Sequence, residues 1–442
     1  MLLTIEKQIY GGNGLARLPA DEHGRGKTVF VPFALTGEEI EASLTEQKPG
    51  FARAQATKIV QASPRRIAPA CSYFTRCGGC QYQHTTYEHQ LQIKKEILRE
   101  TFLRAKLDLQ SEIIVHPSPP WNYRNRSRFQ VQTKPAFAAG YFKHASHELL
   151  PVEQCPISSP LINRALSALW ESGRAGKVPD GVKEIEFFAN ADDTQLLIEV
   201  HCTTGARRAS VREWCEDWKS LMPEVGGVAA FRDSQSRPHT TEKFITVGEG
   251  HLTYETGNAS YRVSAGSFFQ TNRHLTDQLI KIVTGQQSGD HALDLYAGVG
   301  LFSTALACDF RHIVCVESSQ TSSGDLAYNL PSNGEAIQAT TEHYLSGTRP
   351  RPSDKASALP PRKTDKPDLV VVDPPRSGLG ERVARSLANL GAPRVVYVSC
   401  DPATLARDLV HLLATGYRAD QLHLVDLFPQ TFHLETVVHL SR

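Results

Sequence analysis

The stretch LDLYAGVGLFS, residues 293–303, decides the fold. A hydrophobic run ends at Asp294, a turn carrying Gly298 and Gly300 follows, and a helix start comes next. Glycine permits the tight turn and lets a ligand approach the backbone closely. The surrounding text has one texture: HALDLYAG, RHIVCVES, DLVVVDPP and RVVYVSCDP are apolar strands separated by helical stretches. From residue 290 to 442 the chain therefore reads as an α/β unit, a parallel sheet covered on both faces. Ligands in such sheets sit outside the carboxyl ends of the strands, at the switch point.

The strand HIVCVE ends in Glu317, an acid placed to accept hydrogen bonds from ribose hydroxyls. A G-x-G turn alone fits NAD, a methyl donor, or an ordinary strand–turn–helix with no ligand. Two features favour the methyl donor. Ser303 stands where the third glycine of the dinucleotide fingerprint would fall, and the turn comes only after some 290 residues of other structure.

The third strand ends in Asp373-Pro374-Pro375-Arg376, and the fourth in Cys400-Asp401-Pro402. In methyltransferases that attack through an exocyclic amine, D-P-P is followed by an aromatic residue; Arg376 in that place argues against N-methylation. Cys400 at a strand's carboxyl end is either a buried, inert thiol or a nucleophile on the ligand side. Chemistry joins these residues. C5 of uracil is too weak a nucleophile to attack a sulfonium methyl, but a thiolate adding at C6 turns the ring into an enolate with a nucleophilic C5. Such a reaction needs a thiol, a methyl donor, a partner for the uracil edge and a base for the C5 proton. Cys400, Asp373 and Glu435, in FPQTFHLETVVHL, can fill the protein's roles.

Working outward, residues 1–60 contain short runs separated by GGNG, DEHGRG and KPG, which predict an OB-like β-barrel. Residues 61–289 form a mixed α/β central region. It holds a cysteine-containing segment, a helix from Tyr87, alternating strands such as RSRFQVQTK, EIEFFAN and QLLIEVHC, and a helix near 160–172. The Pro- and Ser-rich stretch 346–367 is expected to be a surface insertion.

The 442 residues suggest two to three domains, and 40% hydrophobic with 21% charged residues suit a globular protein. No apolar run is long enough for a membrane span and MLLTIEKQIYGG lacks a signal peptide's apolar core, so a cytoplasmic protein is expected; it is also expected to be a monomer. Net charge is only +1, but residues 51–130 hold 13 Lys+Arg against 5 Asp+Glu. That surplus, with Arg124, Arg126 and Arg128 in it, is either a solvated surface or a phosphate-binding face.

Taken together, LTIEKQIYGGNGLARL, CGGCQYQH, SAGSFFQTN, DLYAGVGLFS, VVVDPPRSGL, VSCDPATLARDL and FPQTFHLETV resemble the RNA 5-methyluridine methyltransferases over nearly the whole chain. The nearest branch is that of the 23S ribosomal RNA enzymes with a TRAM barrel and an iron–sulfur cluster. The resemblance implies that Gln270, Tyr296, Glu317 and Asp373 contact S-adenosylmethionine or its surroundings, that Cys400 is the nucleophile and Glu435 the base. A further donor contact near Thr340–Glu342 is not assigned, because ATTEHYL lacks the usual signature. An N-methylating enzyme and a non-catalytic RNA-binding protein are the competing readings; Arg376 and Cys400 oppose the first, and the set Gln270, Asp373, Cys400 and Glu435 the second.

Nine cysteines in a chain of this kind suggest metal or catalytic thiols before disulfides. Cys71, Cys77, Cys80 and Cys155 make four candidate ligands in a three-plus-one pattern that suits an iron–sulfur cluster or zinc. The resemblance points to [4Fe–4S]. Cys202, Cys215, Cys308 and Cys315 are expected in core packing, and His84 is expected to be structural.

Overall fold

Period-two alternation builds the catalytic sheet. In Gly289–Leu295 and Leu369–Val372, Leu293, Leu295, Val370 and Val372 pack into one apolar cluster, while Ala292, Leu369 and Val371 pack into another. Both faces are therefore dry, as a parallel interior sheet requires. The structure is a computed structural model that describes residues 1–19, 26–234, 241–285, 287–346 and 366–442.

Gly289–Leu295 pairs in parallel with Phe310–Glu317 on one side and Leu369–Val372 on the other. The chain runs outward to Gly334–Gln338 and returns across Gly289–Leu295, which makes a switch point beside Asp294 and Asp373. Arg394–Ser399 continues the parallel order. Glu435–Ser441 then runs antiparallel between it and Arg418–Val425.

The eighth strand is Ile113–His116, at the edge beside Arg418–Val425. The helix Tyr87–Arg104 joins the same layer: its Ile93, Ile97 and Leu98 share a cluster with Val383, Leu387 and Leu405. The catalytic unit is thus not confined to residues 290–442. IIVH is too short to announce a partner some 300 residues away, so this pairing was hidden in the sequence.

The central region is a seven-stranded sheet from Leu149–Pro151 at one edge to Thr241–Gly248 at the other. Its predicted helix is Pro160–Arg174, started by Ser159 as N-cap and Pro160 in the first turn. At the N-terminus six strands between Leu2 and Gln61 enclose a small core of Leu3, Ile5, Val29, Val31 and Ile40. The strand Asn13–Arg17 begins within GGNG itself. Of the 346–367 insertion, residues 347–365 lie outside the described residues.

Two expectations need correction. Cys202, Cys215 and Cys315 are buried, but Cys308 is exposed, because the helix Leu301–Leu306 ends before it. Arg126 and Arg128 are committed internally: Arg126 binds Glu186 and Glu199, and Arg128 binds Glu186 and Glu184. Arg124 donates to the Arg126 carbonyl and lines the cysteine cavity. The exposed cations of residues 51–130 that lack a carboxylate partner among the described residues are Lys58, Arg65, Arg76, Arg99 and Lys106. Among the described residues, no helix is long and apolar enough to cross a membrane.

Candidate active site

Cys400 owes its place to a strand end and a helix cap. The strand Arg394–Ser399 stops one residue before it. Asp401 then caps the helix Pro402–Leu413, accepting from Ala403 N at 3.0 Å and Thr404 N at 2.9 Å, with Pro402 in the first turn. Cys400 is left in the one-residue elbow, half-buried, at the carboxyl edge of the sheet.

The adjoining Asp373 loop is fixed by Asp408, a fully buried carboxylate that the sequence did not single out. It accepts from Leu379 N at 2.7 Å and from the Tyr397 hydroxyl at 2.8 Å. Gly378 lies there at φ +71°, and a Cβ on it would stand 2.5 Å from Asp408 Oδ2. Only glycine fits this close approach.

The site is a concentration of acids. Burial and the neighbouring Asp294 push Asp373 up to about 7. Burial, opposed by Ser303, also brings Asp294 to about 7, and its Oδ1 has no hydrogen-bond partner. Glu435 is raised well above the carboxylate range by burial and by Asp373, while Arg376 pulls it back. Burial, Glu435 and Asp373 raise the Cys400 thiol to about 11, and Arg376 again opposes them. Cys400, Asp373, Glu435 and Arg376 therefore share one electrostatic neighbourhood.

Tyr296 and Glu317 flank the glycine turn. Tyr296 takes φ +65°, a strained backbone for a side chain of this size, and Thr341 lies beside its phenol. Glu317 accepts from Gly298 N at 2.9 Å and Ser319 N at 2.6 Å. A Cβ at Gly298 would meet nothing within 4 Å, so the turn opens onto free space. An orphaned buried carboxylate oxygen, open space at the turn and unneutralised acids suit a cationic nucleoside donor such as a sulfonium.

Gln270 stands in a separate loop, buried, beside Phe269 of the core; Phe268 between them and Ser267 is 64% exposed. The loop is rigid: Asp325 accepts from Ser264 N and from the Ser264 and Ser267 hydroxyls, and Glu199 accepts from Gly266 N. A rigid loop presenting a bare aromatic ring suits stacking on a base. The FF doublet was the signal: in an extended loop, one ring points inward and the next outward.

Two further neighbours come from far away in the sequence. Tyr10 of the N-terminal barrel donates to the Cys400 carbonyl at 3.4 Å and meets Phe432 edge to face, centroids 5.3 Å apart. His433 lies 3.1 Å from Arg376 Nη2 through Nδ1; burial and then Arg376 hold it down to about 3, so the ring is neutral.

Cys71, Cys77, Cys80 and Cys155 line one cavity of about 310 Å³, together with Tyr73, Arg124, Tyr141 and His433. Gly79 N donates to Cys77 Sγ at 3.4 Å, and Asn163 clamps Cys155 through its backbone N at 2.8 Å and O at 3.0 Å. Burial raises Cys71, Cys77 and Cys80. Among the described residues, no group of side chains is drawn close enough to hold a single metal ion. His84 is buried without a polar partner and packs on Phe74, 5.4 Å between centroids.

With this geometry in hand, relatives identify the chain. The sequence profile of the tRNA (uracil-5-)-methyltransferase family matches residues 86–442, and that of the TRAM domain residues 1–57. The chain belongs to the uracil-5-methyltransferase family. It is accordingly an RNA uracil-C5 methyltransferase that uses S-adenosylmethionine. An RNA methyltransferase of Aquifex aeolicus is 32% identical over 99% of this chain and 98% of its own length. The 23S rRNA (uracil(1939)-C(5))-methyltransferase of Chromohalobacter salexigens is 31% identical over 100% of this chain and 89% of its own. In fold, this methyltransferase is similar to the tRNA (uracil-54, C5)-methyltransferase of Pyrococcus abyssi, solved with S-adenosyl-L-homocysteine: TM-score 0.75, 24% identity, 99% of each chain covered.

Proposed function

We propose that the protein methylates C5 of a uridine in 23S ribosomal RNA, with Cys400 as nucleophile and Glu435 as base. The observation that carries the roles is the shared neighbourhood of Cys400, Asp373, Glu435 and Arg376 at the strand ends. The ribosomal substrate rests on likeness to the Chromohalobacter enzyme. The protein works as a monomer in the cytoplasm, with the target uridine flipped out of its stack to reach Cys400.

The Cys400 sulfur adds to C6, and its proton passes to Asp373, which leaves Glu435 free for the later proton. Asp373 holds the uracil edge. S-adenosylmethionine supplies the methyl group when bound, held in this reading by Gln270, Tyr296, Glu317 and Asp373. Glu435, in its ionised form, then takes the C5 proton; the burial that raises its pKa makes that form a stronger acceptor than an ordinary carboxylate. Loss of that proton re-forms the double bond and expels the thiolate. Mapping 5-methyluridine in ribosomal and transfer RNA of a deletion strain tests the substrate. One missing position in 23S rRNA is expected; a loss confined to transfer RNA would assign the other class.

The acids also predict how donor binding responds to pH. Asp294 and Asp373 ionise near 7 in the free protein, and a bound sulfonium favours their charged forms. Affinity should therefore be lost as pH falls through 7. Calorimetry should show S-adenosylmethionine binding tighten by about tenfold from pH 6 to pH 8. S-adenosylhomocysteine, with a neutral sulfur, should change much less, and equal slopes for both would refute the assignment.

The four-cysteine cavity is read as the seat of a [4Fe–4S] cluster. Its size, its four thiols and the N–H donor to Cys77 Sγ support a cluster over one zinc ion, which would need four sulfurs close around a point. The cluster's part is structural, since methyl transfer moves no net electrons. Protein purified without oxygen should be brown, with iron and sulfide each near about four per chain. Stoichiometric zinc in a colourless protein would overturn the cluster.

A further inference from the structure

Residues 428–435 stand between the cysteine cavity and the catalytic pair. Thr431 and His433 line the cavity, and Glu435 ends the segment in the active site. The segment is gripped from the cysteine side. Gln430 takes φ +69°, and its carbonyl accepts from Gln81 N and Tyr82 N, each at 2.9 Å. Its backbone N donates to Gln90 Oε1, and its own Oε1 accepts from Gln90 Nε2, again at 2.9 Å each. Gln81 and Tyr82 directly follow Cys80. A left-handed glutamine persists only where its surroundings over-determine it, and here the peptide next to a cavity thiol supplies that constraint.

Beyond this grip, the His433 ring packs on Phe432 at 4.2 Å between centroids, and one ring nitrogen lies 3.1 Å from Arg376 Nη2. A guanidinium has donors only, so the ring accepts. Arg376 is exposed; the His433 ring bonds its side chain, and its carbonyl accepts from Thr404 Oγ1 at 3.2 Å, which sets it against the start of the helix that follows Cys400.

We propose that His433 is a positioning residue that couples the four-cysteine cavity to Arg376, and through Arg376 to the reactivity of Cys400. This rests on the reading of Cys400 as the working thiol. From Cys80 the path runs through Gln81, whose N donates to the Gln430 carbonyl and whose Oε1 accepts from Phe432 N at 3.3 Å, then along the chain to His433 and across to Arg376. A perturbation of the cavity therefore reaches the cation beside the nucleophile.

The test reads Cys400 directly, without RNA or methyl donor. The full-length protein, purified without oxygen, is treated with iodoacetamide from pH 7 to 9.5, and the Cys400 peptide is quantified by mass spectrometry. In His433→Ala the Cys400 rate should fall about fivefold at each pH, because the opposing cation is no longer held in place. His433→Asn, whose amide oxygen can accept from Arg376, should recover at least half of the loss. Cys77→Ser should show the same fall, and the double variant His433→Ala/Cys77→Ser should fall no further, as one shared route requires. Cys71→Ser serves as the second variant for that arm. Wild-type rates in His433→Ala, or equal losses in the Ala and Asn variants, would overturn the positioning role. Wild-type rates in both cysteine variants would overturn the coupling. Alkylation reports thiol reactivity whatever that thiol does in catalysis, so failure here is separate from methylation surviving in Cys400→Ala.

Discussion

Glu435→Gln is expected to stop the reaction after methyl transfer and accumulate a covalent protein–RNA complex. In the proposed mechanism Cys400 and Glu435 act on opposite sides of the intermediate: the Cys400 sulfur bonds to C6, and Glu435 removes the C5 proton whose loss lets that bond break. A glutamine keeps the volume and the buried position but cannot take the proton. Turnover should fall by about 10²–10⁴-fold, the usual contribution of a positioned base. A donor-dependent shifted band should appear on a denaturing gel. Cys400→Ala should give neither product nor band, and the double variant should match it, since residues acting in series are not additive. Wild-type turnover in Glu435→Gln would return Glu435 to a buried acid without a catalytic part.

Lys94→Met is expected to cost the protein a large part of its stability. Lys94, on the helix Tyr87–Arg104, is fully buried, with Nζ 2.6 Å from Asp426 Oδ1 and 2.9 Å from the Phe428 carbonyl. Burial lowers its pKa and Asp426 opposes that, as in a pair that survives by mutual neutralisation. Removing one partner leaves Asp426 charged in an apolar surrounding, at a cost of about 3–5 kcal/mol. Lys94→Met/Asp426→Leu removes both charges and should recover most of the loss. Denaturant unfolding followed by tryptophan fluorescence and circular dichroism measures both. An unchanged transition in Lys94→Met, or a double variant as weak as the single, would contradict this role. Asp426 and Phe428 begin the segment that carries Glu435, so the single variant should also lose activity before it unfolds.

What the sequence disclosed and what it hid follow from the range of the interactions. The glycine turn, the strand-end acids and Cys400 were legible because each is written in consecutive residues: a strand, a turn and a cap. Asp401 and Pro402 place Cys400 with local hydrogen bonds alone. Ile113–His116 was not legible as a sheet edge, because its partner Arg418–Val425 lies some 300 residues on. Tyr10, His433 and Gln430 matter through contacts that join distant segments, and nothing in FPQTFH reveals a left-handed glutamine. The arginines at 126 and 128 misled for the opposite reason. Charge counted along the chain does not show which carboxylates fold against it, and Glu184, Glu186 and Glu199 do.

The most direct test of the central claim replaces the target uridine with 5-fluorouridine. Fluorine at C5 cannot leave as a cation, so a base has no proton to take and the sulfur cannot be expelled. Wild-type protein, the donor and fluorinated 23S rRNA fragment should yield a stable complex. After nuclease and protease digestion, mass spectrometry should find one methylated fluorouridine on the peptide containing Cys400. A complex on any other residue, or complete turnover with none trapped, would contradict the account.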